Sequence, residues 1–355
     1  MNAPVAIQHK ASLVDLTDAR LCERVEGFVR EIRASLFHRP AWLNAVEAGT
    51  GQRAAGIITE QLGTITGWLP LTQVHSMLFG KALVSSGFAV GGGLCVASEE
   101  ACRPLVERAQ KLARDHGFAS IEVRGGALPE GEGWRQWDDK HCGFERALAE
   151  DDDAELLAIP RKSRAEVRKG LNNDLEVKAG RGPEDRRAHY AIYSESVRNL
   201  GTPVFPAKLF RVMLDAFPDE SDILTVFKDG APISSVLNFY HNGAVLPYWG
   251  GGTFAARGSR SNELMYYQLM LHARERGMQR FDFGRSKTGS GPYSYKKNWG
   301  FEPQPLAYAE WTAPGHESRD IDPTSEAYSR KIELWKKLPL PIANAIGPLI
   351  ARGLA

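Results

Sequence analysis

The sequence predicts an α/β protein (α+β in its sheet arrangement): two tandem, pseudo-symmetric domains with mixed sheets, followed by a C-terminal helical tail. Three observations carry this. The chain has 355 residues, which at about 150 residues per domain makes room for two. Hydrophobic residues make up 43% and charged residues 25%, so each half can bury a core of its own. The chain also repeats itself at an offset of about 160. Residues 113–123 match residues 273–283, Gly91-Gly92-Gly93 corresponds to Gly250-Gly251-Gly252, and Gly143-Phe144-Glu145 corresponds to Gly300-Phe301-Glu302.

Each copy reads as a strand, a Gly-rich turn, an amphipathic helix, a glycine stop, a strand, a loop, a short helix and Gly-Phe-Glu. In the second copy Ser261 is expected to cap the helix, with Glu263 in its first turn. Leu264, Met265, Tyr267, Leu269 and Leu271 form its apolar stripe. Arg274 and Arg276 suit the last turn, and Gly277 supplies the left-handed stop. Phe281 and Phe283 then alternate with Asp282, as a half-buried strand requires. The first copy follows suit with Leu105, Leu112, His116, Gly117, Ile121 and Val123. The expected divisions are a lead-in over 1–36, a first domain over 37–150, a second over 151–311 and a linker with an amphipathic tail over 312–355. The acidic run Glu150-Asp151-Asp152-Asp153 marks the central junction. In the tail, residues 328–337 are basic and amphipathic, with Ile332, Leu334 and Trp335, and residues 338–350 are apolar and broken by Pro and Gly. Such a strip covers a core edge of its own protein or lies on a membrane surface, so peripheral contact of 325–355 with the inner membrane is one expectation.

Lys plus Arg total 44 and Asp plus Glu 43, a net charge of +1. Bulk charge therefore does not hold this chain to nucleic acid, DNA is not an expected partner, and any polyanion must meet a local patch. The four cysteines show no CxxC pairing, which fits a reducing compartment rather than a disulfide scaffold. No run of about 18 apolar residues and no charged-then-apolar leader occurs, so a cytoplasmic protein is expected. Several catalytic patterns fail. Gly284 to Ser290 resembles a phosphate loop, but position 290 is Ser rather than Lys and no helix is evident directly after it. There is no GxGxxG, no GxSxG elbow and no HExxH. No tightly bound cofactor or metal is expected. The chemistry left is acyl transfer to an amine, where charge stabilisation and proton relay suffice.

The differences between the copies locate the candidate residues. Where the first copy has Glu122-Val-Arg-Gly-Gly, the second has Asp282-Phe-Gly-Arg285-Ser-Lys287. Where the first has Trp137-Asp-Asp-Lys, the second has Tyr293-Ser-Tyr295-Lys296-Lys297. Arg285, Lys287, Lys296 and Lys297 thus gather at a strand end and the helix beyond it, which suits an anionic substrate or an oxyanion; the plainer reading is a solvated basic face. A second cluster opens the second domain. Arg161, Arg164 and Arg168 share one helix face beside Lys162, and they either bind an anion or balance the acidic run before them. Asp282 is a candidate proton relay or a strand-end partner of Arg285, and Asn262 and Tyr248 are assigned to substrate binding.

These residues carry a resemblance. Asn262-Glu-Leu-Met, residues 273–284 and Tyr295-Lys296-Lys297-Asn-Trp299-Gly300-Phe301, together with the Lys162-Ser-Arg164 helix, resemble the FemAB family over roughly residues 35 to 311. The order of motifs and the Trp335-Lys-Lys-Leu-Pro tail look like the FemAB-related proteins associated with exosortase/PEP-CTERM systems, whose setting is exopolysaccharide and surface-protein export. The resemblance implies two tandem GNAT-like acyltransferase domains with the active site in the second. It also implies an acyl or aminoacyl group moved onto an amine of a peptidoglycan or other envelope-related acceptor that is anionic. Lys296 falls on the family's oxyanion-stabilising Lys, Tyr295 on the aromatic position before it, and Lys162 and Arg164 where the family helix meets an anionic precursor. The donor it implies is aminoacyl-tRNA, so charged tRNA is a partner. The chain lacks the long coiled-coil arm of some cell-wall members, which leaves tRNA use open. Two other readings stand beside it. One is an acyl-CoA-dependent N-acyltransferase, with residues 257–262 as the turn before a helix that meets the pyrophosphate. The other is a non-catalytic assembly module of an export system.

Overall fold

A computed structural model describes residues 9–76, 80–316 and 326–353, with 326–330 described by their backbone alone. Residues 1–8 of the expected lead-in, 317–325 of the linker and 354–355 of the tail lie outside the described residues. Two compact units emerge. One gathers the described residues of Met1–Asp138, Ala307–Ile321 and Arg352–Ala355, the other those of Asp139–Leu306 and Asp322–Ala351.

The first unit begins with β1 (Lys10–Leu13), α1 (Ala19–Glu31) and α2 (Pro40–Thr50), then β2 (Arg53–Gln61), β3 (Thr64–Ser76), β4 (Gly80–Ser85) and β5 (Cys95–Val96). It continues with α3 (Cys102–His116), β6 (Ser120–Arg124) and β7 (Trp134–Trp137). The segment expected as a polar lead-in is therefore structured. Val25, Phe28 and Val29, at i, i+3 and i+4 of α1, are buried, and Asp18 caps the helix. The second unit runs through β8 (His141–Ala147), α4 (Asp152–Ala158), α5 (Arg161–Leu171), β9 (Glu176–Gly180), α6 (Pro183–Leu200) and α7 (Ala207–Ala216). Next come β10 (Ser221–Lys228), β11 (Ala231–His241), β12 (Ala244–Gly252), α8 (Phe254–Ser259) and α9 (Ser261–Glu275). It ends with β13 (Arg280–Asp282), β14 (Ser286–Lys287), α10 (Gly291–Asn298) and β15 (Pro303–Pro305). After β16 (Tyr308–Thr312) come α11 (Glu326–Lys336) and α12 (Leu340–Ala351).

Among the described residues each unit holds one mixed sheet, ordered β1-β2-β3-β4-β6-β16-β7 and β14-β8-β13-β12-β11-β10-β9. In each, one parallel pair marks the repeat: β4 with β6 and β12 with β13, the rest of the pairing being antiparallel. The helix before each of these strands ends as expected. Gly117 and Gly277 take left-handed φ values of 67° and 81°, and the next residue returns its N–H to the helix. Leu264, Met265, Tyr267 and Leu269 are buried in the second core. Ser261 is not the cap, however. The N-cap is Arg260, in the left-handed region, and Ser261 is the first helical residue, its hydroxyl turned back to the Ala256 carbonyl.

The repeat departs from the expected landmarks at its end. β8 pairs with β13, setting Glu145 opposite Asp282, while β16 pairs with β6, setting Glu310 opposite Glu122. Glu310, not Glu302, is thus the sheet counterpart of Glu145, and Phe144 and Phe301 share the second core instead of occupying equivalent places. Each sheet is completed by a strand from beyond the expected boundaries of 37–150 and 151–311, and the compact units part after Asp138 and Leu306. Gly91, Gly92 and Gly93 lie in irregular backbone after β4, whereas Gly250, Gly251 and Gly252 lie within β12.

Candidate active site

The second parallel pair is short. β12 meets β13 only at Ala244 and Val245, so from Leu246 to Gly252 its outer edge has no strand partner among the described residues. At the end of β13 the Asp282 carboxylate accepts a hydrogen bond from the Gly284 amide (2.9 Å), and Gly284 turns the chain with a φ of 71°. That φ is one only glycine takes without strain. Burial raises the Asp282 carboxyl above its ordinary range, aided by Glu145 across the sheet and opposed by Lys296.

Lys296, on α10, is buried at 8% exposure. Its Nζ donates to the carbonyls of Gly284 and Arg285, both at 3.0 Å, and sits 5.3 and 5.4 Å from the ring centroids of Phe144 and Phe283. An ammonium has three donors; two are taken here, and the third is uncommitted among the described residues. Burial pushes its pKa down to about 8, against the pull of Asp282 and with help from Arg285. Tyr295 next to it is half-buried, but its hydroxyl is buried and lacks a well-formed hydrogen bond. Burial, with Glu263 and Tyr266 nearby, keeps it a neutral phenol far into the alkaline range, and the Trp299 indole only tempers this. Tyr266, Phe283, Tyr295 and Trp299 pack ring to ring around this point, with centroids 4.7 to 6.4 Å apart.

The four cations expected to act together are separated. Lys296 alone is buried, Arg285 is half-buried and offers its carbonyl to Lys296, and Lys287 and Lys297 are exposed, with Lys297 over the Tyr293 ring. The reason is the helix. Ser290 caps α10 and Gly-Pro opens it, so residue 296 turns inward and residue 297 outward. This helix follows directly after the loop ending at Ser290, where none was evident from the sequence. In α5, Lys162 and Arg168 are exposed, while Arg164 is half-buried and reaches the Leu157 carbonyl. Ser163 donates to the Asn298 carbonyl at 2.6 Å, setting the first turn of α5 against the end of α10. Asn262, in the first turn of α9, abuts Gly252, and its Oδ1 is buried without a partner; the Thr253 and Ser286 hydroxyls are in the same state. Tyr248 packs edge-on against Phe239 and Trp249. Residues 257–259 close α8, Arg260 turns the chain into α9 and pairs with Glu166 at 2.6 Å, and Ser261 and Asn262 open α9.

Sequence reasoning missed Tyr266, Thr253 and Ser286. Tyr266 was within reach: it stands at i+4 from Asn262 and so shares its helix face. A Cβ on Gly250 would come within 3.4 Å of its hydroxyl, and burial pushes that phenol up to about 12. The orphaned hydroxyls of Thr253 and Ser286 have no signature in one dimension.

Among the described residues, no group of three or more His, Cys, Asp or Glu side chains is placed to hold a metal ion. Residues 160–297 match the acetyltransferase (GNAT) domain family. No curated protein matches the chain. Among solved structures it is similar to FemX, at 15% identity and a TM-score of 0.65, covering 85% of this chain and 97% of that one. It is similar to a tandem GNAT protein from the clavulanic acid biosynthesis pathway, at 14% identity and a TM-score of 0.55, covering 88% of this chain and 100% of that one. It is also similar to L-PGS from Bacillus licheniformis, at 13% identity and a TM-score of 0.53, covering 89% of this chain and 96% of that one. With the topology above, these similarities establish the architecture: the chain has a tandem GNAT-like fold, two mixed α/β sheets built from one polypeptide.

Proposed function

We propose that the second unit transfers an acyl or aminoacyl group from an activated donor onto an amine of an anionic, envelope-related acceptor. One observation carries this reading. Lys296 is a buried ammonium anchored by two backbone carbonyls, with one N–H left to give, just beyond the end of a short parallel strand pair. The amine nitrogen attacks the donor carbonyl carbon and a C–N bond forms. The carbonyl oxygen takes up negative charge, which the spare N–H of Lys296 stabilises. Collapse of that intermediate breaks the bond to the donor's oxygen or sulfur. Asp282, its affinity for a proton raised by burial, takes the proton from the amine, and the neutral Tyr295 phenol gives one to the departing group. Exposed Lys162 and Arg168 offer charge to the acceptor. The envelope acceptor, and the finer setting in exopolysaccharide and surface-protein export, rest on the FemAB resemblance of the motif residues.

The match of residues 160–297 to an acetyltransferase domain favours a second donor, acyl-CoA, beside aminoacyl-tRNA. Calorimetric titration of the full chain with a CoA thioester and with charged tRNA separates the two. Single-turnover assays with whichever donor binds, comparing the wild type with Lys296→Met, then test the reaction. If no donor is consumed faster by the wild type, the unit is a binding or assembly module and the proposal fails.

A further inference from the structure

The tail helices present an inverted face. α12 packs small residues inward: Ala343, Gly347 and Ala351, at i, i+4 and i+8, are buried, and Gly347 is so close to Val204 that a Cβ there would lie 3.1 Å from its backbone nitrogen. The large residues point the other way. Ile342, Ile346 and Leu349 are 49%, 39% and 65% exposed, with exposed Ala345 among them, and Leu334 of α11 is 68% exposed. A helix that merely covers its own core turns its large side chains inward, so self-coverage does not account for this stripe. α12 contains no charged residue, but cations bracket it: Lys336 and Lys337 before it and Arg352 after it. Between 331 and 353 the one acid is Glu333, already paired with Lys336 at 2.6 Å.

We infer that the outward face of α12, with Leu334 of α11, is a docking surface for an anionic lipid bilayer. No helix among the described residues is long and apolar enough to cross a membrane, so the contact is interfacial, with the stripe at the acyl boundary and Lys336 and Lys337 at the headgroups. A second copy of the chain fits less well, because a two-fold contact would set the same basic rim against itself.

The test is sedimentation of the full chain with vesicles of phosphatidylcholine, with and without phosphatidylglycerol. The wild type is expected to pellet with the anionic vesicles, less so as salt rises. Ile346→Asn/Leu349→Asn should lower vesicle affinity by about a hundredfold while leaving the melting midpoint in place, since both side chains are exposed. Leu334→Asn repeats the test on the other helix, independently of how α12 tolerates change. Lys337→Glu should weaken binding to the anionic vesicles only. A wild type that stays in the supernatant, or apolar variants that pellet equally well, overturns the inference. So does a dimer that the double variant dissociates in a protein that ignores vesicles, which makes the stripe a self-association face. None of these outcomes bears on the reaction proposed above.

Discussion

The ends of the two parallel strand pairs have been finished in opposite ways. In the first unit β6 ends in Arg124, which is 5% exposed. It accepts no freedom: its amide donates to the Ser85 hydroxyl, Nε to Glu122 and a terminal nitrogen to the Ala89 carbonyl. The chain itself fills the space beyond, with Leu94 bridging to Gly126 and Ala127 and Gly93 so close to Gly125 that a Cβ would overlap its carbonyl. In the second unit the matching position is Gly284, the β13-side edge of β12 has no strand partner among the described residues from Leu246 to Gly252, and Lys296 stands behind the turn. Equal folds thus yield a satisfied, plugged strand end in one case and uncommitted donors and orphaned hydroxyls in the other. Of these two strand ends, among the described residues, the second is the one with donors and hydroxyls uncommitted.

The sharpest way to break this contrast is Lys296→Met. Loss of one oxyanion donor costs on the order of 2.7–4 kcal/mol, so single-turnover rates should drop roughly 10²–10³-fold. Arg124→Ala should do the reverse. It strips buried partners and should cost about 2–3 kcal/mol in urea unfolding, with turnover per folded molecule unchanged. Loss of turnover in that variant would place chemistry in the first unit as well.

Proton dependence sharpens the comparison further. The ammonium of Lys296 titrates near 8 in the fold against an ordinary 10.5. In the proposed reaction the charged form is the active one, so turnover should fall as pH rises through about 8, by about tenfold per unit beyond it. The unfolded chain binds the extra proton between those two values, so stability should rise with pH over the same window. A rate that climbs through pH 8 would instead make Lys296 a base. Asp282→Asn keeps an acceptor for the Gly284 amide but removes both the proposed base and the charge that supports the ammonium, so turnover should fall roughly 10²-fold or more. The alkaline limb should then move to lower pH. The smallest effect is expected from Lys162→Ala/Arg168→Ala, which should raise KM for the anionic acceptor a few-fold (roughly the worth of exposed charges) and leave kcat alone.

Much of this was legible in one dimension. The helix–glycine–strand unit repeats with its caps and core positions because local pattern alone specifies it: Gly117 and Gly277 end their helices, and Phe281 and Ile121 enter their sheets. The exchange of β8 and β16 was not legible. A short half-polar strand announces that it pairs, not with which neighbour, and the chance echo of Gly-Phe-Glu at 143–145 and 300–302 pointed elsewhere. Lys296 was singled out by motif. Its burial was not, since basic residues 296 and 297 look alike until the Ser290 cap fixes the phase of α10. Asn262 was singled out, yet its orphaned oxygen depends on Gly252 lying against it, a contact across ten residues of sequence that only the folded chain creates.

The placement of β16 between β6 and β7 also governs how the molecule must be born. On the ribosome, the first sheet waits with an unfilled slot until residues 308–312 emerge, long after β7 has left the tunnel. Assembly is therefore non-local and slow, with bare strand edges exposed to other nascent chains meanwhile. A gene fragment ending near residue 150 would carry that gap permanently and should precipitate, whereas co-expressing the missing stretch gives it the means to close.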